Sequence, residues 1–275
     1  MGKIAACNID KIMTKFLAPL LFLLCPLASC HVQTNEASEE TRTLTENIAS
    51  EGIETVTTNL SISVGELVVT GGANQLMEGE FTYQQADWKP EIDFRRDGTT
   101  GELSIKQPNL GENLNINFGN DNNNQWRVRL NDQVLQDLNC KIGAGKTELD
   151  LRGLSLKSVH IDAGVGQHEV NLTDCSVPEL LINAGIGEIS VDLTGRWKND
   201  LQGEINGGIG TLNLILPRDV GIRLEVQGGL GAVDVPTDFR RDGQIYTSAH
   251  YDEATHRLDL DVKAGLGSIE VRVAE

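Results

Sequence analysis

The stretches Ala163-Gly164-Val165-Gly166 and Ala184-Gly185-Ile186-Gly187 lie 21 residues apart and contain the motif that organises this chain. A glycine, an apolar residue and a second glycine occur together six times in the second half of the sequence. The six motifs are Gly143–Gly145, Gly164–Gly166, Gly185–Gly187, Gly208–Gly210, Gly229–Gly231 and Gly265–Gly267. Their first glycines are separated by 21, 21, 23, 21 and 36 residues. A period near 21 residues is typical of a solenoid, in which each repeat forms one coil stacked on the next.

Apolar residues fall into columns when the repeats are aligned on their first glycine. Three positions before the glycine stand Cys140, Ile161, Ile182, Ile205, Val226 and Val262. Six positions after it stand Leu149, Val170, Val191, Leu214, Val235 and Val271. Polar residues flank these columns. Because side chains of a strand alternate between its two faces, we expect the apolar columns to face inward. Each coil is therefore predicted to be a strand, a sharp corner at the glycines, a second strand and a return turn. The residue between the glycines is predicted to close the end of the core.

The chain begins with an export signal. Lys3, Lys11 and Lys15 precede a short apolar run, Phe16 to Leu27, which is too short for a permanent membrane helix. The following Leu27-Ala28-Ser29-Cys30 resembles a bacterial lipobox, so we predict cleavage after residue 29 and lipid attachment at Cys30. The alternative is an ordinary secretion signal with an incidental cysteine. Translation could start at Met1 or Met13.

The rest of the chain divides into three parts by composition. Residues 30–55 are polar and acidic and are predicted to be a flexible tether. Residues 56–135 show the period-two alternation of short strands, as at Leu60 and Ile62, and are predicted to be an N-terminal β segment of the solenoid. Residues 136–275 contain the six coils. The predicted fold class is all-β, a single-stranded β-solenoid of about 21-residue coils.

The charge balance limits the possible partners. The chain has a formal net charge of −17, and loss of residues 1–29, with three lysines and one aspartate, would make it −19. Such a surface repels phosphate backbones, so we expect no nucleic-acid partner. If Cys30 is acylated, Cys140 and Cys175 are the cysteines left for a disulfide. Both align with apolar positions, which favours buried thiols, and the bridge stays an open alternative.

Several stretches are similar to a known family, the toast-rack domain of bacterial envelope lipoproteins and of membrane proteins of the cell-wall-antibiotic response. They are Trp126–Asn131, Ile142–Gly145, the repeated Ala-Gly-x-Gly corners and Ile215–Gly221. The region from Val64 to Phe81 resembles the companion N-terminal segment of that family. The resemblance implies a β-solenoid without known catalytic residues. The chain lacks the N-terminal membrane helices of the stress-response members.

Four groups of residues invite a chemical interpretation. Gly143-Ala144-Gly145-Lys146-Thr147 resembles the end of a phosphate-binding loop but has Cys140 where that motif needs a glycine. Gly228–Gly231 lacks the aspartate and the nine-residue period of a calcium-binding roll. The aligned pairs Glu148/Glu169 and Asp150/Asp192 could hold a divalent cation, although a solvated acidic face is commoner. His160, His168 and Glu169 could bind zinc, but we expect core or surface histidines. The sequence therefore predicts no cofactor and no metal ligands.

The 36-residue step predicts a loop or hairpin around Pro236 to Tyr251. Insertions into repeats often carry a binding face. This one contains Phe239, Arg240, Arg241 and Tyr246, in a chain that is poor in aromatic residues, and these four are a candidate binding loop for an anionic or glycan partner. The alternative is a hairpin in which Phe239 and Tyr246 cover the end of the core.

Together these features favour a non-catalytic, lipid-anchored scaffold of the bacterial envelope that binds a partner or senses envelope stress. The membrane is the partner predicted through Cys30, and an envelope protein or a glycan is the second. A self-associating structural solenoid is the first alternative, because open solenoid ends can template stacking. A glycan-active solenoid enzyme is the second. The sequence does not determine the oligomeric state.

Overall fold

The computed structural model describes residues 40–108 and 124–274, which lie in one compact unit, Glu39–Glu275; the other unit, Met1–Ser38, is outside the described residues. The described residues form fourteen strands and one 3-10 helix, Ala86–Trp88. The strands are β1 (Arg42–Ile48), β2 (Thr55–Thr70), β3 (Met77–Tyr83), β4 (Glu91–Asp97), β5 (Thr100–Lys106), β6 (Gln125–Leu130), β7 (Leu135–Asp150), β8 (Leu156–Asn171), β9 (Glu179–Asp192), β10 (Leu201–Leu216), β11 (Gly221–Asp234), β12 (Arg240–Asp242), β13 (Ile245–Thr247) and β14 (Arg257–Val273).

Seven long strands form the coils of the predicted β-solenoid. They pair in parallel, and each carries a glycine corner in register with the corner of its neighbour. We call the part before the corner the first arm and the part after it the second arm. The second glycine of the corner has a positive φ in every coil except the terminal β11, for example 151° at Gly166 and 134° at Gly187, and this conformation favours glycine. The period of the glycines therefore gives the repeat of the fold.

The first coil is β2, which lies in the segment predicted to precede the coils. Its Val64 and Gly65 pair with Ala144 and Gly145 of β7, and Gly65 has a φ of 141°. Ser63 stands where the other corners have their first glycine, so the motif does not reveal this coil. Within the described residues the solenoid therefore has seven coils, one more than the six predicted.

The coils do not stack in the order of the sequence. The order of the coil strands is β2-β7-β8-β9-β10-β14-β11, so the last coil of the sequence inserts between the fourth and fifth glycine motifs. β14 pairs with β10 on one side and with β11 on the other. The long step between Gly229 and Gly265 is thus the connection that allows β14 to return into the stack. β11, and not β14, is the terminal coil.

The inward columns of the sequence form the core. Every residue of the column three positions before the glycine is buried, from Ile182 and Ile205 at 0% exposure to Val226 at 4%. The column six positions after it is also buried, except Val235 in the terminal coil. The residue between the glycines behaves differently. Val165, Ile186 and Ile209 are 51%, 52% and 49% exposed, so the prediction that this residue closes the end of the core is wrong.

Beyond the coils, different strands of the same sheet extend the two arms. At the β2 end, β5 and β4 extend the first arm, while β6, β3 and β1 extend the second arm. At the β11 end, the hairpin of β13 and β12 extends the first arm. No strand within the described residues extends the second arm beyond β11. The two ends of the solenoid are therefore covered differently.

The predicted tether, residues 30–55, is wrong for its second half. Arg42–Ile48 forms β1, which pairs antiparallel with β3. Only Leu44 and Ile48 of this strand pack against the core, so its sequence has no period-two apolar pattern. Backbone pairing holds a strand that composition alone assigns to a loop. In the described ranges, no helix is long and apolar enough to cross a membrane.

Candidate functional site

The candidate binding loop is a tight hairpin beside the terminal coil. Arg240–Asp242 pairs antiparallel with Ile245–Thr247, and β13 continues the pairing onto Arg223–Glu225 of β11. Gly243 occupies the turn with a φ of 63°. The Arg241 guanidinium lies over the ring of Tyr246, 5.3 Å from its centroid, and Arg241 Nε donates to the carbonyl oxygen of Gly243 at 3.1 Å.

The aromatic residues of this hairpin cover the end of the first-arm core. Phe239 is 8% exposed and belongs to the hydrophobic core, and Tyr246 packs against it partly buried. The prediction that Phe239 faces a partner is therefore wrong. A residue whose ring fills the end of the core contributes to folding and offers little surface to a ligand. Arg240 and Arg241 remain exposed.

The same six residues form a second hairpin at the other end of the molecule. Asp-Phe-Arg-Arg-Asp-Gly occurs at 93–98 and again at 238–243. In the first copy Arg96 Nε donates to the carbonyl oxygen of Gly98 at 2.8 Å, and Gly98 has a φ of 62°, matching Arg241 and Gly243. Both hairpins cover the first arm, one at each end. The repeated hexapeptide is therefore a turn-and-cover motif, and a search of the sequence for repeated words would have found it.

A row of exposed apolar side chains follows the corners along the stack. We call Val165, Ile186, Ile209, Leu266 and Leu230 the corner ladder, and each is in register with the next. Their exposures, in this order, are 51%, 52%, 49%, 45% and 78%. Scattered exposed apolar residues are normal, but a contiguous row on a soluble domain is typical of an interaction surface. Their apolar character predicted a place in the core, because it does not show which way the side chains point.

The two histidines do not form a metal site. His160 Nε2 lies 3.1 Å from Asp162 Oδ1 on the outer face. His168 is 3% exposed and faces the core between Thr147 and Ile189, and its ring nitrogens have no hydrogen-bond partner among the described residues. Burial lowers the pKa of His168, which keeps the ring neutral. Thr147, the end of the phosphate-loop-like stretch, is also buried in this column.

The aligned carboxylates line an acidic groove on the second arm. Glu148 pairs with Glu169, and Asp150, Asn171 and Asp192 follow in register, as the columns predicted. The groove has a volume of about 460 Å³. Arg152 donates to both oxygens of Asp150, at 2.7 and 2.6 Å, and this hydrogen bonding lowers the pKa of Asp150. Within the described residues, no group of three or more His, Cys, Asp or Glu side chains is placed to hold a metal ion.

The cysteines fall into two groups. Cys140 and Cys175 are buried free thiols, and burial raises the pKa of Cys140 to about 12 and that of Cys175 to about 11. These thiols are protonated at neutral pH and behave as small core residues. The predicted lipid attachment site, Cys30, lies outside the described residues.

The coil geometry, the end hairpins and the corner ladder define a β-solenoid repeat protein. The sequence model for the N-terminal domain of toast_rack, DUF2154, matches residues 36–179, and this chain belongs to that family. The model for the C-terminal part of LiaF, of the cell wall-active antibiotics response, matches residues 164–271. No curated protein matches the chain.

Solved structures give a similar result. A candidate cell adhesion protein from Clostridium sporogenes is 26% identical, with a TM-score of 0.62, and the match covers 86% of this chain and all of that one. A candidate adhesin from Bacteroides fragilis is 11% identical over 85% of this chain and 97% of its own, and its TM-score of 0.30 supports no argument. The matched relatives indicate an envelope-associated binding or sensing module.

Proposed function

We propose that this protein is a non-catalytic scaffold, anchored to a bacterial membrane by lipid on Cys30, that binds another envelope protein. The observation that carries the proposal is the corner ladder, five apolar residues in register at exposures of 45% to 78%. The net charge, −17 for the full chain and −19 without residues 1–29, opposes adsorption to an anionic lipid surface. An apolar strip on another protein is therefore the favoured partner of the ladder. The family and the adhesion-type relative support the envelope location.

The arrangement of the polar residues supports a binding role over catalysis. In the described parts of the chain, His160 contacts Asp162 on the outer face, and Asp150 is bonded to Arg152. The buried ring of His168 has no hydrogen-bond partner there. General acid–base or nucleophilic chemistry needs such groups within hydrogen-bond reach of one another and of a common substrate. The outward residues instead satisfy one another: Asn183 donates to Asp162 at 2.9 Å, and Asn206 donates to Asn183 at 2.9 Å.

The binding proposal is tested by capture of the partner from cross-linked envelopes. Half-burial of five aliphatic side chains contributes roughly 4–8 kcal/mol before the costs of association, so the complex is weak and needs a cross-link. We expect the double variant Ile186→Lys/Ile209→Lys to give little of the cross-linked product that the native protein gives. The control Gln167→Lys/Gln202→Lys adds the same two charges at outward polar positions and is expected to retain it. An unchanged product with the ladder variant would contradict the proposal.

The exposed arginines of the hairpin at residues 238–246 are the alternative binding surface, and the same assay tests them. Arg240→Gln/Arg241→Gln removes the exposed charges but leaves Phe239 and Tyr246 over the core. Arg95→Gln/Arg96→Gln makes the same change in the matching hairpin at the other end. We expect both double variants to retain the product. Loss with the first pair alone would assign binding to the hairpin at residues 238–246.

The lipid anchor makes a separate prediction. If Cys30 is the acylated residue, Cys30→Ala abolishes incorporation of a labelled fatty acid and leaves an uncleaved or soluble product. Cys25→Ala, which changes a cysteine of the predicted signal, serves as the control and is expected to leave labelling intact. Labelling of the Cys30→Ala protein would show that the lipid is attached elsewhere.

A further inference from the structure

We propose that the corner and second arm of β11, Gly228–Asp234, form a docking edge for an extended segment of a separate polypeptide in which aliphatic and basic residues alternate. This edge lies at the end of the stack, whereas the corner ladder runs along its side. The two surfaces share only Leu230. Variants at Ile186 and Ile209 test the ladder, and variants at Val233 and Asp234 test the edge, so either proposal can fail without the other.

The edge has a free row of backbone groups. β11 pairs with β14 along Gly221–Asp234, but on its other side its backbone bonds to the hairpin segment extend only from Ile222 to Val226. Beside Gly228–Asp234 no strand is present in the part of the chain that the structure describes. The N–H and C=O groups on that side are therefore available to an added strand.

The core is uncovered at the same place. In the column four positions after the first glycine, Ile189, Leu212 and Ile269 are 2%, 1% and 1% exposed, but Val233 of β11 is 39% exposed. On the first arm of the same strand, Leu224 is fully buried because β13 lies beside it. A strand added to the second arm, with an aliphatic residue beside Val233, would complete the core there as the hairpin does on the first arm.

This edge also lacks the charges that protect the other edges. β4 carries five charged residues among seven, and β12 is Arg240-Arg241-Asp242. β1 presents Arg42 and Glu46. Between Gln227 and Asp234, β11 contains only glycine, leucine, alanine and valine. Charged side chains on an edge strand oppose pairing with another chain, and their absence here favours it.

The number of strands at the two ends argues against a second copy as the occupant. If copies stacked head to tail, the first arm would hold four strands between their terminal coils: β13 and β12 of one copy, then β4 and β5 of the next. The second arm would hold three, namely β1, β3 and β6. The stack would then have a gap one strand wide beside β11. Two copies meeting at their β11 ends would bring their hairpins together before these edges could pair.

Charge at the edge indicates which polar residues the docking segment should carry. The outward residue next to Val233 is Asp234, and its neighbour in register on β14 is Glu270. A strand that places an aliphatic residue beside Val233 places its next residue beside Asp234. A lysine or arginine beside Asp234 would have the opposite charge, which stabilises the pairing of the two strands. A glutamate there would be repelled by Asp234.

The test uses a capped seven-residue peptide with the sequence of Gly267–Val273 and Glu270→Lys, which copies the strand that already pairs with β11. The native sequence of the same segment, with glutamate, is the comparison peptide. We expect saturable binding of the lysine peptide to the purified protein, tighter than that of the glutamate peptide by roughly threefold to tenfold. With its isoleucine beside Val233 the peptide begins beside Gly231, so hydrogen exchange is expected to slow at Gly231–Asp234 when the lysine peptide is bound.

Two variants of the protein locate the site. Val233→Lys points a charge inward at the edge and should weaken binding of the lysine peptide at least about tenfold. Gln167→Lys, in the middle of the stack, should leave this binding unchanged. Should Val233→Lys fail to fold, the variant Asp234→Lys, at an exposed position, is expected to reverse the order of affinity of the two peptides. The proposal is overturned if neither peptide binds saturably, or if Val233→Lys and Asp234→Lys leave binding unchanged. It is also overturned if the protein self-associates through an edge that Val233→Lys blocks.

Discussion

Val191→Asp is expected to unfold the domain, while Ser190→Asp, one residue earlier, is expected to leave it folded. Val191 is fully buried in β9, in register with Val170 and Leu214 of the neighbouring coils. A carboxylate at this position would have no hydrogen-bond partner in an aliphatic column and would also leave part of the valine volume empty. Burying an unpaired charge and losing core packing together destabilise by more than about 4 kcal/mol.

Ser190 lies on the outer face of the same strand, beside Glu169 and Asn213. An aspartate there adds one solvated repulsion from Glu169, and its effect is within about 1 kcal/mol. Urea unfolding of the two variants, followed by circular dichroism, measures the difference. Equal midpoints for the two variants would contradict the assignment of inward and outward faces.

The coil core could be predicted because two periods in the sequence report the same geometry. The 21-residue step gives the repeat, and the alternation within each repeat gives the face. Leu149, Val170 and Val191 fall in one column by both criteria, and all are buried. Alternation fails at the corner itself. Ala184 packs against the core, yet Ile186, two residues later and between the two glycines, is 52% exposed.

The stacking order could not be predicted from the sequence. Every coil presents the same inward columns, so β14 can pair with β10 as well as β11 can, and the apolar pattern does not distinguish the two. The long step before Gly265 predicted the hairpin, which is present as β12 and β13. It did not show that β14, which follows β11 in the sequence, lies between β10 and β11 in the stack. The apolar pattern is the same in every coil, so it does not show which coils are neighbours in the stack.

The candidate site shows the same limit. Phe239, Arg240, Arg241 and Tyr246 stood out because aromatic residues are few, at 4% of the chain. The structure divides them, with the rings over the core and the guanidinium groups exposed. The corner ladder was visible as an invariably apolar position, but only coordinates show that it is solvent-exposed. The free edge of β11 depends on the stacking order and was therefore beyond the sequence.

Gly187→Ala is expected to destabilise the protein by about 3–5 kcal/mol, through backbone strain and overpacking together. Gly187 has a φ of 134°, a conformation that alanine rarely adopts. A β-carbon there would also overlap the carbonyl oxygen of Gly166 in the preceding coil. That oxygen belongs to backbone and cannot rotate away. Relief of the overlap requires β8 and β9 to separate at the corner, which breaks the register of the stack.

Gly243→Ala separates this steric effect from the general cost of replacing a glycine. Gly243 also has a positive φ, 63°, but a β-carbon there would meet no atom within 4 Å. Its expected cost is therefore only that of the left-handed conformation, about 1–2 kcal/mol. Urea unfolding of the two variants gives both free energies. A Gly187→Ala variant as stable as Gly243→Ala would mean that the coils can separate at the corner, and that close backbone approach does not explain the period of the glycines. The larger loss at Gly187 would identify contact between successive corners as the constraint that keeps this residue a glycine.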